Sequence, residues 1–341
     1  MLRPSGNCCV AIVSQHDDLH AWAVRKELTD HRGMESHIVP SDRLADSGGL
    51  VWADSGDGSR PTLPTLGGES LDVGRIDALW FRRGHVFQTA DPIPGDSVSG
   101  DPVSTEVIDN NSSWALLGVL LGSFTGRWVS DPWATRAAES KVLQLKVARE
   151  AGLRVPRTLI SNDPGEVRRF CAQLGGRVVV KAVRASRRTP LLTQRLRPEH
   201  LESDDRIRLC PAIYQECVPG RRHLRVHVFG DRVLAVAIES PNLDWRPDLD
   251  FSCRRYRLDD ELAAQLRQVV RALRLRMGVI DLKFDGDVPV WREINPQGQF
   301  LFAEGLTGAP LRAAMADLLY AEAQAAAAAS GAADRSVPCG P

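Results

Sequence analysis

Three oxygen-bearing side chains in the last third of the chain have the types and spacing of a site for a hard metal cation. Asp281 lies in the apolar segment 278–284, and Glu293 and Asn295 lie in the segment that follows a turn at 285–287. Residues two apart on a strand face the same side, so a hairpin would bring Glu293 and Asn295 opposite Asp281. Two carboxylates and an amide oxygen suit Mg²⁺ carrying nucleotide phosphates, which points to phosphoryl chemistry.

The same three residues have a simpler interpretation. Acidic side chains that flank a hairpin are commonly solvated charges at the edge of a sheet. That interpretation suits any one of the three taken alone. It suits all three together less well, because the strand pair is apolar and is followed by Asn295-Pro-Gln-Gly298.

Two lysines upstream are candidates for binding the phosphates. Lys181 ends a run of valines, and a lysine that ends a buried strand needs an anion, because burying it unpaired is costly. Snorkelling of its ammonium to the surface is the alternative. Lys141 lies within a segment predicted to form one helix from 132 to 151, where a solvated helix face is the simpler interpretation.

The elements that must position these residues can be placed from the pattern of apolar residues. The first ~130 residues predict a small α/β unit, with a strand at Cys9–Ser14 and another that ends in Arg82 and Arg83. Later strands are predicted at 177–181 and 213–218, and a hairpin at 224–238 turns at Gly230-Asp231. Within the second of these strands, Gln215, Glu216 and edge backbone groups could read the donors and acceptors of an adenine.

The order of the candidate residues is more specific than any one of them, and it resembles that of the ATP-grasp superfamily. A closer similarity is to the microviridin-type peptide macrocyclases, also called graspetide synthetases, and to RimK-like ligases. Five segments carry it: Trp80-Phe-Arg82-Arg83, 156–164, Leu224-Arg225-Val226, Asp244-Trp245-Arg246 and 293–300. With these segments the resemblance extends over most of the chain.

The resemblance implies a fold of the α/β and α+β classes, with an ATP-grasp fold that follows an N-terminal pre-ATP-grasp α/β domain. The implied boundaries are 1–130 for the N-terminal domain and 131–322 for the catalytic domain. Residues 323–341 form an Ala-rich tail that we expect to be disordered.

The resemblance also implies roles for individual residues, ATP and Mg²⁺ being the cofactors. The implied sets are catalytic residues Arg225 and Lys181; nucleotide-binding residues Lys141, Lys181, Gln215, Glu216, Cys217, Val218 and His223; metal ligands Asp281, Glu293 and Asn295; and substrate-binding residues Arg82, Arg83, Asp244 and Arg246. The chain departs from the family at His223, where many members have an acidic ribose contact, and at Arg292, where they usually have an apolar residue. The loop after Lys181 carries Arg187 and Arg188 in place of glycines; these either clamp phosphates or form a solvated turn.

The activity that the resemblance implies is ADP-forming ligation within a ribosomal precursor peptide made of a leader and a core. Asp or Glu side chains would be activated as acyl-phosphates and joined to Ser or Thr hydroxyls or Lys amines. The alternative is an ATP-grasp ligase that joins small-molecule amino acids or dipeptides, which ATP hydrolysis stimulated by free amino acids would favour. A third possibility, an inactive nucleotide-binding scaffold, fits poorly with two carboxylates kept facing one another.

Composition bounds the remaining classes. The 341 residues have room for two domains, and 43 basic residues balance 43 acidic ones, so no global field attracts nucleic acid or a membrane. No apolar run reaches membrane-spanning length, and the N-terminus lacks the pattern of a signal peptide. Seven cysteines without a CxxC pair suit a reducing compartment. We therefore expect a cytoplasmic enzyme without nucleic-acid or membrane partners; many relatives form homodimers.

Overall fold

The computed structural model describes residues 8–44, 47–54, 60–84, 102–184, 192–246 and 251–334. The chain divides into two compact units, Met1–Pro132 with Pro310–Pro341, and Trp133–Ala309. The second unit begins close to the start of the predicted catalytic domain but ends before residue 322. The predicted boundaries of the N-terminal and catalytic domains therefore remain a prediction. Arg187 and Arg188 lie outside the described residues.

The first unit is built on a parallel sheet. Its elements before residue 132 are β1 (Cys9–Ser14), α1 (Leu19–Arg32), β2 (Glu35–Pro40), β3 (Thr62–Pro64), β4 (Ser70–Asp72), β5 (Ala78–Phe81), α2 (Pro102–Ser123) and β6 (Arg127–Val129). The strand order is β2-β1-β5-β6, all parallel, and β3 pairs with β4 separately. All residues of β1 and β5 are buried, as in parallel strands that are covered on both faces.

The second unit contains two antiparallel sheets. Its elements are α3 (Pro132–Ala138), α4 (Lys141–Glu150), β7 (Thr158–Ser161), α5 (Pro164–Gln173), β8 (Val178–Ala182), β9 (Gln194–Arg195), α6 (Asp204–Arg208), β10 (Ala212–Glu216), β11 (Arg222–Phe229), β12 (Arg232–Glu239), β13 (Ser252–Tyr256), α7 (Asp260–Ala272), β14 (Met277–Asp285), β15 (Val288–Asn295) and α8 (Leu301–Thr307). One sheet has the order β7-β10-β8-β9 and the other β13-β12-β11-β14-β15. The predicted turn at Gly230-Asp231 joins β11 to β12, and the turn predicted at 285–287 joins β14 to β15.

The larger sheet has one apolar face and one polar face. Leu224, Ile280 and Trp291 lie in the core that also contains residues of α4 and α7. Because side chains alternate along a strand, Arg225 and Asp281 lie on the opposite face. The core thus fixes which residues of three neighbouring strands meet on the polar face.

The prediction of a single helix over 132–151 was wrong. The helix breaks after Ala138, and Ser140 begins a new helix by accepting a hydrogen bond from the backbone N–H of Leu143. A serine hydroxyl satisfies one of the free N–H groups at a helix start, so the break is stabilised locally. Lys141 consequently begins α4 and does not lie in the middle of a helix.

The C-terminal segment also differs from the expectation. Residues 311–334 form one helix, α9 (Leu311–Asp334), which belongs to the first unit and contacts α1, β1, β5 and β6. Leu319 and Ala323 are fully buried. The Ala-rich segment is therefore helical beyond residue 323, because its small side chains pack closely against neighbouring elements. Among the described residues, no helix combines the length and apolar composition needed to cross a membrane.

Candidate active site

The two predicted carboxylate ligands face each other across neighbouring strands. Asp281 on β14 pairs directly with Glu293 on β15, and Asn295 pairs with Val279 two residues before Asp281. The hairpin thus brings all three residues to one end of the strand pair. The side-chain oxygen of Asn295 accepts a hydrogen bond of 3.0 Å from the backbone N–H of Gln297, which begins the following loop.

The two carboxyl groups have opposite pKa shifts. Burial raises the pKa of Asp281, although Arg225 acts against this, and the negative charge of Glu293 raises it further. Burial would also raise the pKa of Glu293, but the charges of Lys141 and Lys181 lower it to about 2. Glu293 is therefore ionised at neutral pH and available to a cation.

Lys141 binds one of these carboxylates. Its Nζ lies 2.7 Å from Oε2 of Glu293, and neither side chain is fully buried. The helix break at Ser140 places the lysine at the start of α4. The alternative interpretation, in which Lys141 lies on a solvated helix face, did not anticipate this position. The structure thus brings Lys141 into the group formed by Asp281 and Glu293.

Lys181 on β8 is held by a chain of side-chain hydrogen bonds. Its Nζ donates to Oε1 of Gln215 at 2.8 Å, and Nε2 of Gln215 donates to Oγ1 of Thr158 at 2.9 Å. Burial, and next the charge of Arg292, hold the pKa of Lys181 well below its ordinary value. An ammonium in this environment is stabilised when an anion binds beside it.

Arg225 is held from several sides. Its Nη1 lies 2.9 Å from Oδ1 and 3.0 Å from Oδ2 of Asp281, and its Nη2 donates to the carbonyl of Gln299 at 2.9 Å. The guanidinium carbon lies 5.6 Å from the ring centre of Trp245 and 5.5 Å from that of Phe302. This arrangement holds a permanent positive charge beside the candidate metal ligands.

Gly298 allows the loop after β15 to reach Arg225. A Cβ at this position would lie 2.5 Å from Cβ of Val279, closer than side chains approach one another. Only glycine therefore lets the backbone lie on β14 and present the carbonyl of Gln299 to the guanidinium. This gives a physical reason for the Asn-Pro-Gln-Gly-Gln sequence that the motif alone did not supply.

The predicted substrate-binding pair Asp244 and Arg246 forms an ion pair. Nε of Arg246 lies 2.8 Å from Oδ1 of Asp244. Burial would raise the pKa of Asp244, but hydrogen bonding and the charge of Arg246 lower it. The pKa of Arg246 is raised, first by the hydrogen bond to Asp244 and also by the charges of Glu293 and Asp281. These charges place Arg246 near the candidate metal ligands.

The segment predicted to read adenine is already partly engaged. The side chain of Gln215 accepts a hydrogen bond from Lys181 and donates one to Thr158. The carboxylate of Glu216 accepts from the backbone N–H of Arg157 at 3.1 Å. The N–H of Cys217 donates to the carbonyl of Arg177 at 2.9 Å, and Val218 is buried. Adenine recognition by Gln215, Glu216, Cys217 and Val218 remains a prediction, and the hydrogen bond to Lys181 gives Gln215 a second role in positioning that lysine.

His223 lies on the same face of β11 as Arg225. Burial, together with the charges of Lys283 and Arg292, lowers its pKa to about 4. Its Nε2 is buried and has no hydrogen-bond partner among the described residues. A neutral imidazole with an unpaired nitrogen fits a hydrogen bond to a hydroxyl, such as one of a ribose.

The structure places Arg82 and Arg83 in the first unit and gives them different environments. The side chain of Arg82 is 0% exposed, and its Nε lies 2.5 Å from Oδ2 of Asp18. That carboxylate also caps α1, accepting from the backbone N–H of His20. Arg83 is 39% exposed and its Nε lies 3.6 Å from the same oxygen. Direct substrate contact therefore suits Arg83, whereas buried Arg82 holds Asp18 in place.

Sequence reasoning missed several residues on the polar face of the larger sheet. Phe302 and the carbonyl of Gln299 contact Arg225, and neither follows from residue type. Lys283 is 2% exposed, and it could have been found because it lies two residues after Asp281 on the same strand. Arg292 was noticed only as a departure from the family pattern.

The charges of this face fit a magnesium–nucleotide complex. Asp281 and Glu293 supply hard oxygen ligands, and Lys141, Lys181 and Arg225 supply cations for phosphates. Nη1 of Arg292 is buried without a hydrogen-bond partner in the part of the chain that the structure describes. Unpaired buried donors beside two carboxylates are the complement of an anion that carries a metal ion.

Comparison with known proteins identifies the fold. No family model and no curated protein matches the chain. Among solved structures, the macrocyclase MdnC from Microcystis aeruginosa MRC, bound with the precursor peptide MdnA, is 25% identical, with a TM-score of 0.78 over 91% of this chain and 99% of its own. The macrocyclase MdnB from the same organism is 27% identical, with a TM-score of 0.74 over 92% of this chain and 99% of its own. The ATP-grasp ligase PsnB, complexed with a minimal precursor, Mg and ADP, is 25% identical, with a TM-score of 0.72 over 92% of this chain and 97% of its own. The chain therefore has the ATP-grasp fold, in a form that it shares with peptide macrocyclases over more than nine-tenths of its length.

Proposed function

We propose that the protein is an ADP-forming ATP-grasp ligase that closes macrocycles in a ribosomal precursor peptide. The observation that carries the proposal is the pairing of Asp281 with Glu293 on one sheet face, with Lys141 and Arg225 bound to them. The similarity to macrocyclases over most of the chain supports the peptide as substrate. Asp244, Arg246 and Arg83 are the candidates for contacting it.

The residues of the site suit the activation of a carboxylate by ATP. A substrate carboxylate and the terminal phosphate of ATP repel one another, so both need to be neutralised before the carboxylate oxygen can attack. Asp281, Glu293 and Asn295 would hold Mg²⁺, which supplies part of that neutralisation. Lys141 and Lys181 would bind phosphate oxygens, and Arg225 would stabilise the charge that develops between the two reactants.

The second half of the reaction forms the ring. A Ser or Thr hydroxyl of the peptide gives an ester, and a Lys amine gives an amide. Either nucleophile attacks the activated carbonyl carbon and releases phosphate, so one molecule of water is lost from the peptide for each ring. The Trp245 and Phe302 rings beside Arg225 provide an apolar wall that limits hydrolysis of the activated carboxyl group.

The cellular compartment and the oligomeric state of the protein are part of the proposal. We propose a cytoplasmic enzyme, since ATP and the newly made precursor are both found there, and a homodimer as its assembly. Sedimentation of the purified protein at micromolar concentration tests the second point, and a mass equal to one chain would refute it.

The experiment that tests the function is an intact-mass measurement. The purified protein is incubated with ATP, Mg²⁺ and the peptide encoded beside its gene, and each ring should remove about 18 Da from the peptide, the mass of one water. Glu293→Gln and Asp281→Asn should abolish the mass loss, each costing about 3 kcal/mol or more of transition-state stabilisation. Asp287→Asn, at a side chain that is 99% exposed, is the matched control and should keep full activity.

Two results would reject the proposal. Turnover retained by both carboxylate variants would show that the site is assigned wrongly. An unchanged peptide, together with ADP release stimulated by free amino acids, would identify a ligase of small molecules.

A further inference from the structure

Arg292 occupies the extra position of a β-bulge in the active-site hairpin. Asp281 pairs with Glu293, but the next residue of β14, Leu282, pairs with Trp291, so Arg292 has no partner residue opposite it. Trp291 is fully buried in the core, and Glu293 lies on the polar face. A bulge redirects a side chain that regular alternation would send elsewhere. The bulge thus allows Arg292 and Glu293 to lie on the same face.

The residues around Arg292 agree with a side chain that lies on the polar face. Its charge lowers the pKa of Lys181 on β8, of His223 on β11 and of Lys283 on β14. These three residues come from three strands and two sheets of the second unit, so the guanidinium lies among them. Glu293 is also close enough to act on the pKa of Arg292.

One donor of Arg292 has no partner among the described residues, although the carboxylates of Glu293, Asp244 and Asp281 lie near enough to act on its pKa. Nη1 of Arg292 is buried and makes no hydrogen bond with any residue that the structure describes. A guanidinium does not lose its proton under ordinary conditions, and a buried N–H donor without an acceptor is costly. Lys181 and buried Lys283, whose pKa values Arg292 lowers, add charge of the same sign. An arrangement of this kind is stabilised by a bound anion.

We propose that Arg292 binds a phosphate oxygen of the nucleotide, delivered to that position by the bulge. The inference rests on the proposed function, since it assumes that this face binds ATP. Phosphate is favoured over the substrate carboxylate because Arg292 lies beside Lys181, the predicted phosphate-binding lysine: Arg292 is the leading charge that acts on the pKa of Lys181, as it is for Lys283. Phosphate is favoured over the adenine ring because an unpaired N–H donor needs an acceptor, which the face of a purine does not supply.

Calorimetric titration with ADP and with adenosine tests the inference. Arg292→Leu should weaken ADP binding by about tenfold or more, the effect of losing one charge-assisted hydrogen bond, and should leave adenosine binding unchanged. Arg292→Lys keeps the charge but loses the planar fork, so its affinity for ADP should lie between the two. Arg222→Leu is the matched control, because this arginine lies on β11 of the same sheet and is bound at the surface by Asp287.

The possible results distinguish failure of the proposed function from failure of the inference about Arg292. Wild-type protein that binds no ADP overturns the proposed function and the inference with it. If wild-type binding is intact, equal affinities of wild type and Arg292→Leu for ADP overturn the inference alone. Equal losses for ADP and adenosine also overturn it, because they place the guanidinium against the base. If the leucine variant does not fold, Arg292→Lys is compared with Arg222→Lys, and equal ADP affinities count against the inference.

Discussion

The ammonium of Lys141 lies 2.7 Å from a carboxylate oxygen of Glu293, so a predicted phosphate-binding lysine is bound to a predicted metal ligand. The pair is intermediate in exposure, and the lysine lowers the pKa of the glutamate. Lys141 thus supplies a neutralising charge for Glu293. A metal ion held by Glu293 would compete with the lysine, whose ammonium would then be free to bind a phosphate.

Removal of this lysine should have opposite effects on metal and nucleotide. We expect Lys141→Met to bind Mn²⁺ more tightly than wild type in the absence of nucleotide, because the cation no longer competes for Glu293. ATP binding should weaken by about tenfold or more through the lost phosphate contact. Titrations of Mn²⁺ by electron paramagnetic resonance and of ATP by calorimetry measure the two effects. Lys146→Met on the same helix, whose ammonium is 3.9 Å from Glu150, should change neither. Unchanged Mn²⁺ affinity in Lys141→Met would contradict the exchange.

Arg225 should be needed for turnover as a guanidinium and not only as a positive charge. Arg225→Lys keeps the charge but cannot bind Asp281 and Gln299 together. We expect kcat for peptide cyclisation to fall by about a hundredfold or more, with little change in KM for ATP, since the charge it stabilises develops during reaction. Arg222→Lys on the same strand, stacked 4.4 Å from the Phe284 ring centre, is the control and should be fully active. Equal losses in the two variants would place Arg225 outside the chemistry.

The adjacent arginines of the first unit should separate into a stabilising and a binding residue. Arg82→Met leaves the buried carboxylate of Asp18 without its closest cation, which should cost about 3–5 kcal/mol of unfolding free energy. Arg83→Gln should change unfolding by less than about 0.5 kcal/mol and weaken binding of the precursor peptide. Urea denaturation and peptide titration measure the two effects. A stable Arg82→Met protein with a specific loss of peptide affinity would return Arg82 to the substrate-binding set.

His227 should make stability depend on pH. Complete burial, and next the charge of Arg225, lower its pKa from 6.5 to about 3. Between these values the unfolded chain binds the proton and the folded protein does not, so this contribution is complete above pH 6.5 and is lost as pH falls towards 3. From pH 7 to pH 5 the loss should be about 2 kcal/mol.

Urea denaturation at the two pH values measures the effect. His227→Leu should show a correspondingly smaller dependence on pH, whereas His31→Leu, at an exposed position on α1, should behave like wild type. Identical slopes for wild type and His227→Leu would show that the imidazole is not held neutral.

Much of the site could be predicted because side chains alternate along strands. The remaining contacts could not, because they join residues that are distant in sequence. The facing of Asp281 and Glu293 follows from a hairpin whose turn is marked by Gly286, which has a φ of +61°. The bulge at Arg292 was not predictable, because an extra residue in a strand changes no residue type. The hydrogen bond between Gln215 and Lys181 was missed because the two residues lie on different strands. From sequence alone, several other groups could have satisfied either side chain.

Helix ends and burial were harder to predict than strands. The pair Glu139-Ser140 is tolerated inside a helix, so the sequence did not reveal that Ser140 begins a new one. Burial of Arg82 depends on Asp18, which lies 64 residues earlier, and the family resemblance suggested a substrate contact instead. In both cases local residue types allowed two structures, and packing with distant segments selected one.

Because α9 belongs to the first unit, the first unit can be completed only at the end of synthesis. Residues 133–309 leave the ribosome before the helix that packs against β1, β5 and β6 has been made. Arg32 likewise has to wait for Asp317, its partner at 2.7 Å. The second unit can thus fold while the first is unfinished, and a nascent chain stalled before residue 311 would present the bare apolar strands of its first unit to chaperones and proteases.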